Sequence, residues 1–210
     1  AHGLTDIAPQ IHPLLHDETT IISAQNGIPW WYFQKHGGSW DGLSLESVDP
    51  KGVISENIDI NRIVGCIVYP STELIEPGVI KHIEGDRFSL GEIDGSSSDR
   101  IKTLSSSLIK SGLRAPIRPQ IRREMWAKLL GNLAFNPISA LTHSTIAEMT
   151  NDPDIEATAK AMMAEADSVA TALGIDIPIS IDQRFSGAQK VGDHKTSMLQ
   201  DLEMGRRLEI

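Results

Sequence analysis

The sequence is poor in cysteine and in basic charge, and both shortages narrow what the protein can be. Its 210 residues include one cysteine, Cys66, which cannot form an internal disulfide. Because Cys66 lies in an apolar run, we expect a buried thiol in a reducing compartment, the cytoplasm. The formal net charge of -9 argues against nucleic acid as a partner, since phosphate binding needs a basic surface.

Several other features are missing as well. No apolar run approaches the length that spans a bilayer, and the residues from Ala1 to Asp6 lack the basic and apolar regions of a signal peptide. The seven histidines are scattered, without the spacing of a metal site. There is no Walker loop, no GxGxxG pattern and no local signature of a Ser-His-Asp set. We therefore expect neither a membrane partner nor a bound metal.

The first half of the chain has the pattern of an α/β domain. Its apolar runs predict helices over 5–15 and 100–112, strands over 19–24 and 63–69, β-like segments over 78–83 and 87–92, and a strand that is also the domain joint over 114–119. The loop Gln25-Asn26-Gly27 follows the first strand. Ligands bind at such positions in open α/β sheets, although Asn-Gly is also a common turn.

The second half of the chain, from Gln120 onward, has a helical pattern. One predicted helix carries Lys128, another runs from Asp152 to Leu173, and a third covers 181–189. The last helix is predicted to begin at Ser197, because Ser197-Met198-Leu199-Gln200 matches a capping box. Ser197 then either only caps this helix or, with the free N–H groups there, binds an anion such as a carboxylate.

The helix that carries Lys128 has an unusual polar stripe. Lys128, Asn132 and Asn136 are spaced by four residues within an apolar segment, so they share one side of the helix. One interpretation is a lysine that reaches the surface past two structural asparagines. The other is a polar pocket, because burial disfavours the charged form of a lysine and lets it donate a proton to a reacting oxygen.

Several motifs together resemble the ketopantoate reductase (2-dehydropantoate 2-reductase) family, and they follow one another over nearly the whole chain. They are Gln25-Asn26-Gly27, the run 77–82, the run 124–132 with Asn136-Pro137, the run 196–201, Gly205-Arg206 and Glu209-Ile210. The resemblance implies a Rossmann domain followed by an all-helical domain, with the active site in the cleft between them and NADPH as hydride source.

The resemblance also implies roles for individual residues. Lys128 matches the proton donor, and Asn26 matches an asparagine between nicotinamide and substrate. The other substrate-side residues are Asn132, Asn136 and Ser197, and the cofactor-side residues besides Asn26 are Ser71 and Glu209. If Ser197 and Glu209 shared one straight helix, about 18 Å would separate them. That helix could reach the substrate at one end and the cofactor at the other.

The expected fold class is α/β followed by all-α. Residues 1–118 are predicted as the C-terminal portion of a Rossmann NADP-binding domain, whose glycine-rich loop would precede Ala1. Residues 119–210 are predicted as the helical substrate and catalytic domain, truncated at its C-terminus.

The predicted function is the NADPH-dependent reduction of a 2-oxo acid to a 2-hydroxy acid. By default this is 2-dehydropantoate to pantoate, in pantothenate and coenzyme A biosynthesis. Ile146 and His194 replace asparagines that are familiar in the family, so a different 2-oxo acid is the alternative, and a non-catalytic nucleotide-binding relative is another. The predicted partners are the small acid and, as an assembly, a homodimer.

Overall fold

A computed structural model describes residues 3–210 of the chain. The chain divides into two compact units, one ending at Ile121 and the other running from Arg122 to Ile210. Within residues 3–210, no helix combines the length and apolar character needed to cross a membrane. The expectation about what precedes Ala1 lies outside the described residues. The roles assigned to residues 1–118 and 119–210 stay predictions.

The first unit contains both helices and strands. Its strands are β1 (Ile21–Ala24), β2 (Ile63–Val68), β3 (Ser71–Glu76), β4 (Val79–Glu84) and β5 (Phe88–Glu92), and its helices are α1 (Leu4–Ile7), α2 (Val53–Asn57) and α3 (Asp99–Lys110). The helix predicted over 5–15 is wrong beyond Ile7. Pro9 and Pro13 lack the N–H that a continuing helix needs, and two 3₁₀ turns replace it there.

Strand β2 lies in the centre of a three-stranded sheet. It pairs with β1 in parallel and with β5 in antiparallel fashion, and its residues from Ile63 to Ile67 are buried. An uninterrupted apolar strand of this kind fits burial on both faces of a sheet. The strand predicted over 114–119 makes only isolated bridges beside β5, since Pro116 and Pro119 cannot donate to a ladder.

Strands β3 and β4 form a separate exposed hairpin around the turn at Pro77 and Gly78. Sequence patterning did not predict β3 as a strand. Leu74 and Ile80 face each other across the hairpin, and each is 68% exposed. Their solvent-facing position explains why the alternation of apolar and polar residues, which marks half-buried strands, is weak here.

The second unit is helical throughout its regular structure. Its helices are α4 (Ile121–Thr142, which begins at the last residue of the first unit), α5 (Ile146–Thr150), α6 (Pro153–Ala172), α7 (Ile181–Gln189) and α8 (Ser197–Glu203). The predicted bounds of α7 are confirmed. Those of α6 are confirmed to within one residue, with Asp152 as its N-cap. Helix α5 was missed, although Thr145 and Glu148 form a capping box that marks its start.

The start of α8 corrects one prediction. The capping residue is Thr196, whose hydroxyl accepts a hydrogen bond from the Leu199 N–H at 3.2 Å, so the capping box predicted at Ser197 and Gln200 is wrong. Thr196 is buried and Ser197 is exposed. Thr196 has the extended backbone of an N-cap, whereas Ser197 is already the first residue of the helix.

Candidate active site

Helix α4 carries the polar stripe that the sequence predicts as a catalytic centre. No residue from Ile121 to Ala140 is exposed. Lys128, Asn132 and Asn136 are half-buried, whereas the other side of the helix packs into the core of the second unit. Residues four apart on a helix have Cβ atoms about 5–6 Å apart, so Asn132 is a neighbour of both Lys128 and Asn136 on this side of the helix. The structure therefore brings these three predicted residues together.

Arg184 contacts α4 beside this stripe, and sequence analysis did not single it out. A Cβ atom built on Gly131 would overlap the guanidinium of Arg184, with Nε only 2.6 Å away. The signal that could have pointed to this contact is Gly131 itself. A glycine in the interior of a buried helix is unfavourable unless another group needs the space.

Asn26 and Ser71 lie at one edge of the sheet in the first unit. The parallel register pairs Ala24 with Cys66, so β1 and β2 end side by side. Asn26 follows β1 by two residues, and Ser71 begins the strand that comes after β2; both residues are half-buried. The carboxyl ends of parallel strands are where open α/β sheets bind dinucleotides, and the cofactor-side roles of both residues stay predictions.

A run of buried aromatic residues holds the loop that contains Asn26. Trp30, Trp31, Tyr32 and Phe33 are all buried directly after this loop. The Trp31 indole N–H donates to the Ser23 hydroxyl at 2.8 Å. A Cβ atom on Gly65 of β2 would approach the Trp31 ring to 2.8 Å, so the missing side chain there makes room for the indole. The aromatic run was the sequence signal for this anchor.

Ser197 and Glu209 do not share a helix. The separation expected for two residues on one straight helix therefore does not apply to them. Helix α8 ends at Glu203, and Glu209 lies beyond it outside regular structure. Both residues are exposed. Their predicted contacts with substrate and cofactor stay predictions, without the geometric support of a common helix.

The two positions that depart from the familiar family pattern are neighbours in space. The Ile146 N–H donates to the His194 carbonyl oxygen at 2.8 Å, which ties the loop before α8 to the start of α5. Ile146 is half-buried against the core of the second unit, and His194 is exposed.

Metal chemistry has no candidate site in the part of the chain that the structure describes. Across residues 3–210, no group of three or more His, Cys, Asp or Glu side chains could hold a metal ion.

Comparison with known proteins shows which proteins the chain is similar to. The family profile described as "Ketopantoate reductase PanE/ApbA C terminal" matches residues 120–210. A 2-dehydropantoate 2-reductase of Mesorhizobium japonicum is 51% identical over all 210 residues. The chain is therefore similar to ketopantoate reductases along its whole length. It spans 64% of the length of that relative.

Solved structures of family members share the fold. A Ralstonia solanacearum protein, provisionally named a ketopantoate reductase, is 36% identical to this chain. The TM-score is 0.91, and the match covers 95% of this chain and 62% of the Ralstonia chain. A dimeric ketopantoate reductase of Staphylococcus aureus is 24% identical to this chain. The TM-score is 0.75, and the match covers 99% of this chain and 63% of the Staphylococcus chain. The predicted fold class, a Rossmann-type portion followed by a helical domain, is confirmed.

Proposed function

We propose that the protein reduces 2-dehydropantoate to pantoate with NADPH, as a step of pantothenate biosynthesis. The observation that carries this proposal is the half-buried stripe of Lys128, Asn132 and Asn136 on α4, in a chain 51% identical to a 2-dehydropantoate 2-reductase. One lysine and two carboxamides suit a small substrate that bears a ketone, a hydroxyl group and a carboxylate.

Lys128 is the proposed proton donor. As the ketone is reduced, its oxygen develops negative charge, and the ammonium group stabilises that charge before it transfers a proton. The products are a hydroxyl group on the substrate and a neutral amine on Lys128, which solvent protonates again. A half-buried position strengthens this electrostatic effect, because less water competes for the developing charge.

The remaining residues position the reactants. The bound nicotinamide cofactor supplies the hydride that the ketone carbon accepts. Asn26, held by the loop that Trp31 anchors, orients the ketone, with Ser71 and Glu209 on the cofactor side. Asn132, Asn136 and Ser197 hold the hydroxyl and carboxylate groups, so that the ketone carbon is presented in one orientation.

The test of this proposal is a steady-state assay of NADPH oxidation with 2-dehydropantoate. We expect Lys128→Ala to lower turnover by about two to four orders of magnitude, because general acid catalysis contributes that much. NADPH binding, followed by fluorescence, should survive. Lys160→Ala is the matched control, since Lys160 of α6 pairs with Glu156 of the same helix and with Asp182 of α7. Near-normal turnover of Lys128→Ala would remove the lysine from this role.

A second candidate is the reduction of a different 2-oxo acid. It is favoured by Ile146 and His194, whose backbones are hydrogen-bonded to each other, because an apolar side chain and an imidazole replace amides that are familiar at these positions. A site that loses hydrogen-bonding groups can change its selectivity by orders of magnitude. A higher kcat/KM for a branched 2-oxo acid than for 2-dehydropantoate would favour this candidate. NADPH binding without oxidation across the panel would favour a non-catalytic relative.

Assembly and location complete the proposal. We propose a homodimer, by analogy with the dimeric Staphylococcus aureus enzyme, and light scattering in solution tests it. The buried thiol of Cys66, the only cysteine in the sequence, supports the proposed cytoplasmic location.

A further inference from the structure

Glycine is an unusual residue at position 131, which lies inside a long helix. Gly131 lies in the interior of α4, it is buried, and glycine is the poorest helix former after proline. The guanidinium of Arg184 occupies the space that a side chain would take, since a Cβ atom on Gly131 would lie 2.6 Å from Nε and overlap the rest of the group. The guanidinium of an arginine on α7 therefore fills the space that a side chain at this position of α4 would occupy.

The packing of α7 fixes where this guanidinium lies. Phe185, the neighbour of Arg184, is buried, and its ring centroid is 5.8 Å from that of Phe135. Phe135 is one turn of α4 beyond Gly131, so both α4 residues lie on the side that faces α7. The two aromatic rings belong to the core of the second unit, which holds α7 in place along that side of α4.

Helix geometry then places the guanidinium near the Cβ atom of Lys128, the predicted proton donor. Lys128 precedes Gly131 by three residues, and side chains with this spacing are neighbours on a helix surface, with Cβ atoms about 5–6 Å apart. Asn132 follows Gly131 directly and continues the stripe. The stripe therefore has a second cation at its edge, contributed by another helix.

We propose that Arg184 is a further substrate-binding residue, whose guanidinium binds the carboxylate of the 2-oxo acid while Lys128 faces the ketone oxygen. The ketone and the carboxylate of such an acid are on adjacent carbons, so two neighbouring cations can meet both groups of one molecule. A planar guanidinium suits a planar carboxylate, because its N–H groups can form two parallel hydrogen bonds. This assignment rests on the proposed function for the identity of the acid.

Binding of the hydroxy acid product tests the proposal without relying on turnover. Calorimetry compares pantoate with pantoamide, its neutral amide, on the protein with NADP⁺ bound. We expect Arg184→Gln to weaken pantoate binding about 10- to 100-fold, as for a lost hydrogen bond to a charged group, and to leave pantoamide within about 3-fold. Gly131→Ala should cause the same selective loss, because the new methyl group displaces the guanidinium while both cations remain in the sequence.

The matched control is Arg123→Gln, an arginine of α4 that pairs with Asp176 instead, at 2.6 Å. Arg123→Gln should change the affinity for neither pantoate nor pantoamide. A purely structural Arg184 would weaken acid and amide equally, and that result overturns the proposal, as does a wild-type protein that binds no pantoate at millimolar concentration. If pantoate binding depends on Arg184 but no 2-oxo acid is reduced, the proposed reaction is wrong and the carboxylate site stands.

Discussion

At the scale of single residues, the charged groups of this protein fall into pairs with very different surroundings. One such pair joins Glu92, which is 4% exposed, to Arg100 through two hydrogen bonds, from Nε at 2.7 Å and from Nη2 at 2.5 Å. Ser98 donates a further bond to the same carboxylate. Burial alone would raise the pKa of Glu92, but the hydrogen bonds from Arg100 and Ser98 outweigh it and lower the pKa.

This lowered pKa predicts an acid-sensitive contribution to stability. Because the carboxylate is favoured in the folded state, the contribution is complete above the usual glutamate pKa of 4.5 and is lost as pH falls below that value. Glu92→Gln should reduce the free energy of unfolding at pH 7 by about 2–3 kcal/mol. This is less than a fully buried pair would lose, because Arg100 keeps 33% of its side chain exposed.

Thermal denaturation between pH 7 and pH 3 measures this effect. The gap in melting temperature between wild type and Glu92→Gln should narrow as the pH falls. Glu203→Gln is the control, since its pair with Lys195 is exposed and contributes little. A gap that stays constant down to pH 3 would contradict the assignment.

At the scale of elements, the start of α8 separates a structural residue from a predicted functional one. Thr196 caps the helix, and its neighbour Ser197 is the exposed first residue of that helix. A buried cap acts on stability, whereas an exposed hydroxyl can contact a ligand. The two adjacent residues therefore form an internal comparison.

We expect Thr196→Ala and Ser197→Ala to have different effects. Loss of the cap in Thr196→Ala should lower the free energy of unfolding by about 1 kcal/mol. Ser197→Ala should leave stability within about 0.5 kcal/mol and raise the KM for the 2-oxo acid. Urea unfolding and steady-state kinetics measure the two quantities. An unchanged KM in Ser197→Ala would remove the serine from the substrate-binding set.

At the scale of the whole molecule, each of the two units has a hydrophobic core of its own. The sheet core includes Val64, Leu90 and Ile101, and the helical core includes Leu130, Met163 and Phe185. Each core fixes the elements that carry the predicted site residues of its own unit. In the first unit these elements are the strands beside the loop that contains Asn26. In the second unit the element is α4, which carries the polar stripe.

Cofactor preference is a prediction about the whole molecule. A ligand that binds only the folded state stabilises it according to its concentration relative to Kd, by about 2.7 kcal/mol at 100 times Kd. If NADPH is the cofactor, it should raise the melting temperature more than NADH does at equal concentration. Thermal denaturation with each nucleotide checks this, and equal shifts would contradict the preference for NADPH.

Local patterns determined much of this fold from the sequence alone. Helix α6 follows from Asp152 and Pro153 at its start and Gly174 after its end, and the four-residue spacing of Lys128, Asn132 and Asn136 put them on one side of α4. Caps and periodicity act over a few residues, so they are readable before any packing is known.

Contacts between distant parts of the chain were decided only by the tertiary structure. Trp31 filling the space at Gly65 and Arg184 covering Gly131 both depend on which elements pack together. The choice of Thr196 over Ser197 as the cap follows the residue at which α8 begins, which the local sequence does not specify. The physical reason is that a side chain's partner is set by the packing of whole elements, whereas a helix or a turn is set by its own backbone hydrogen bonds.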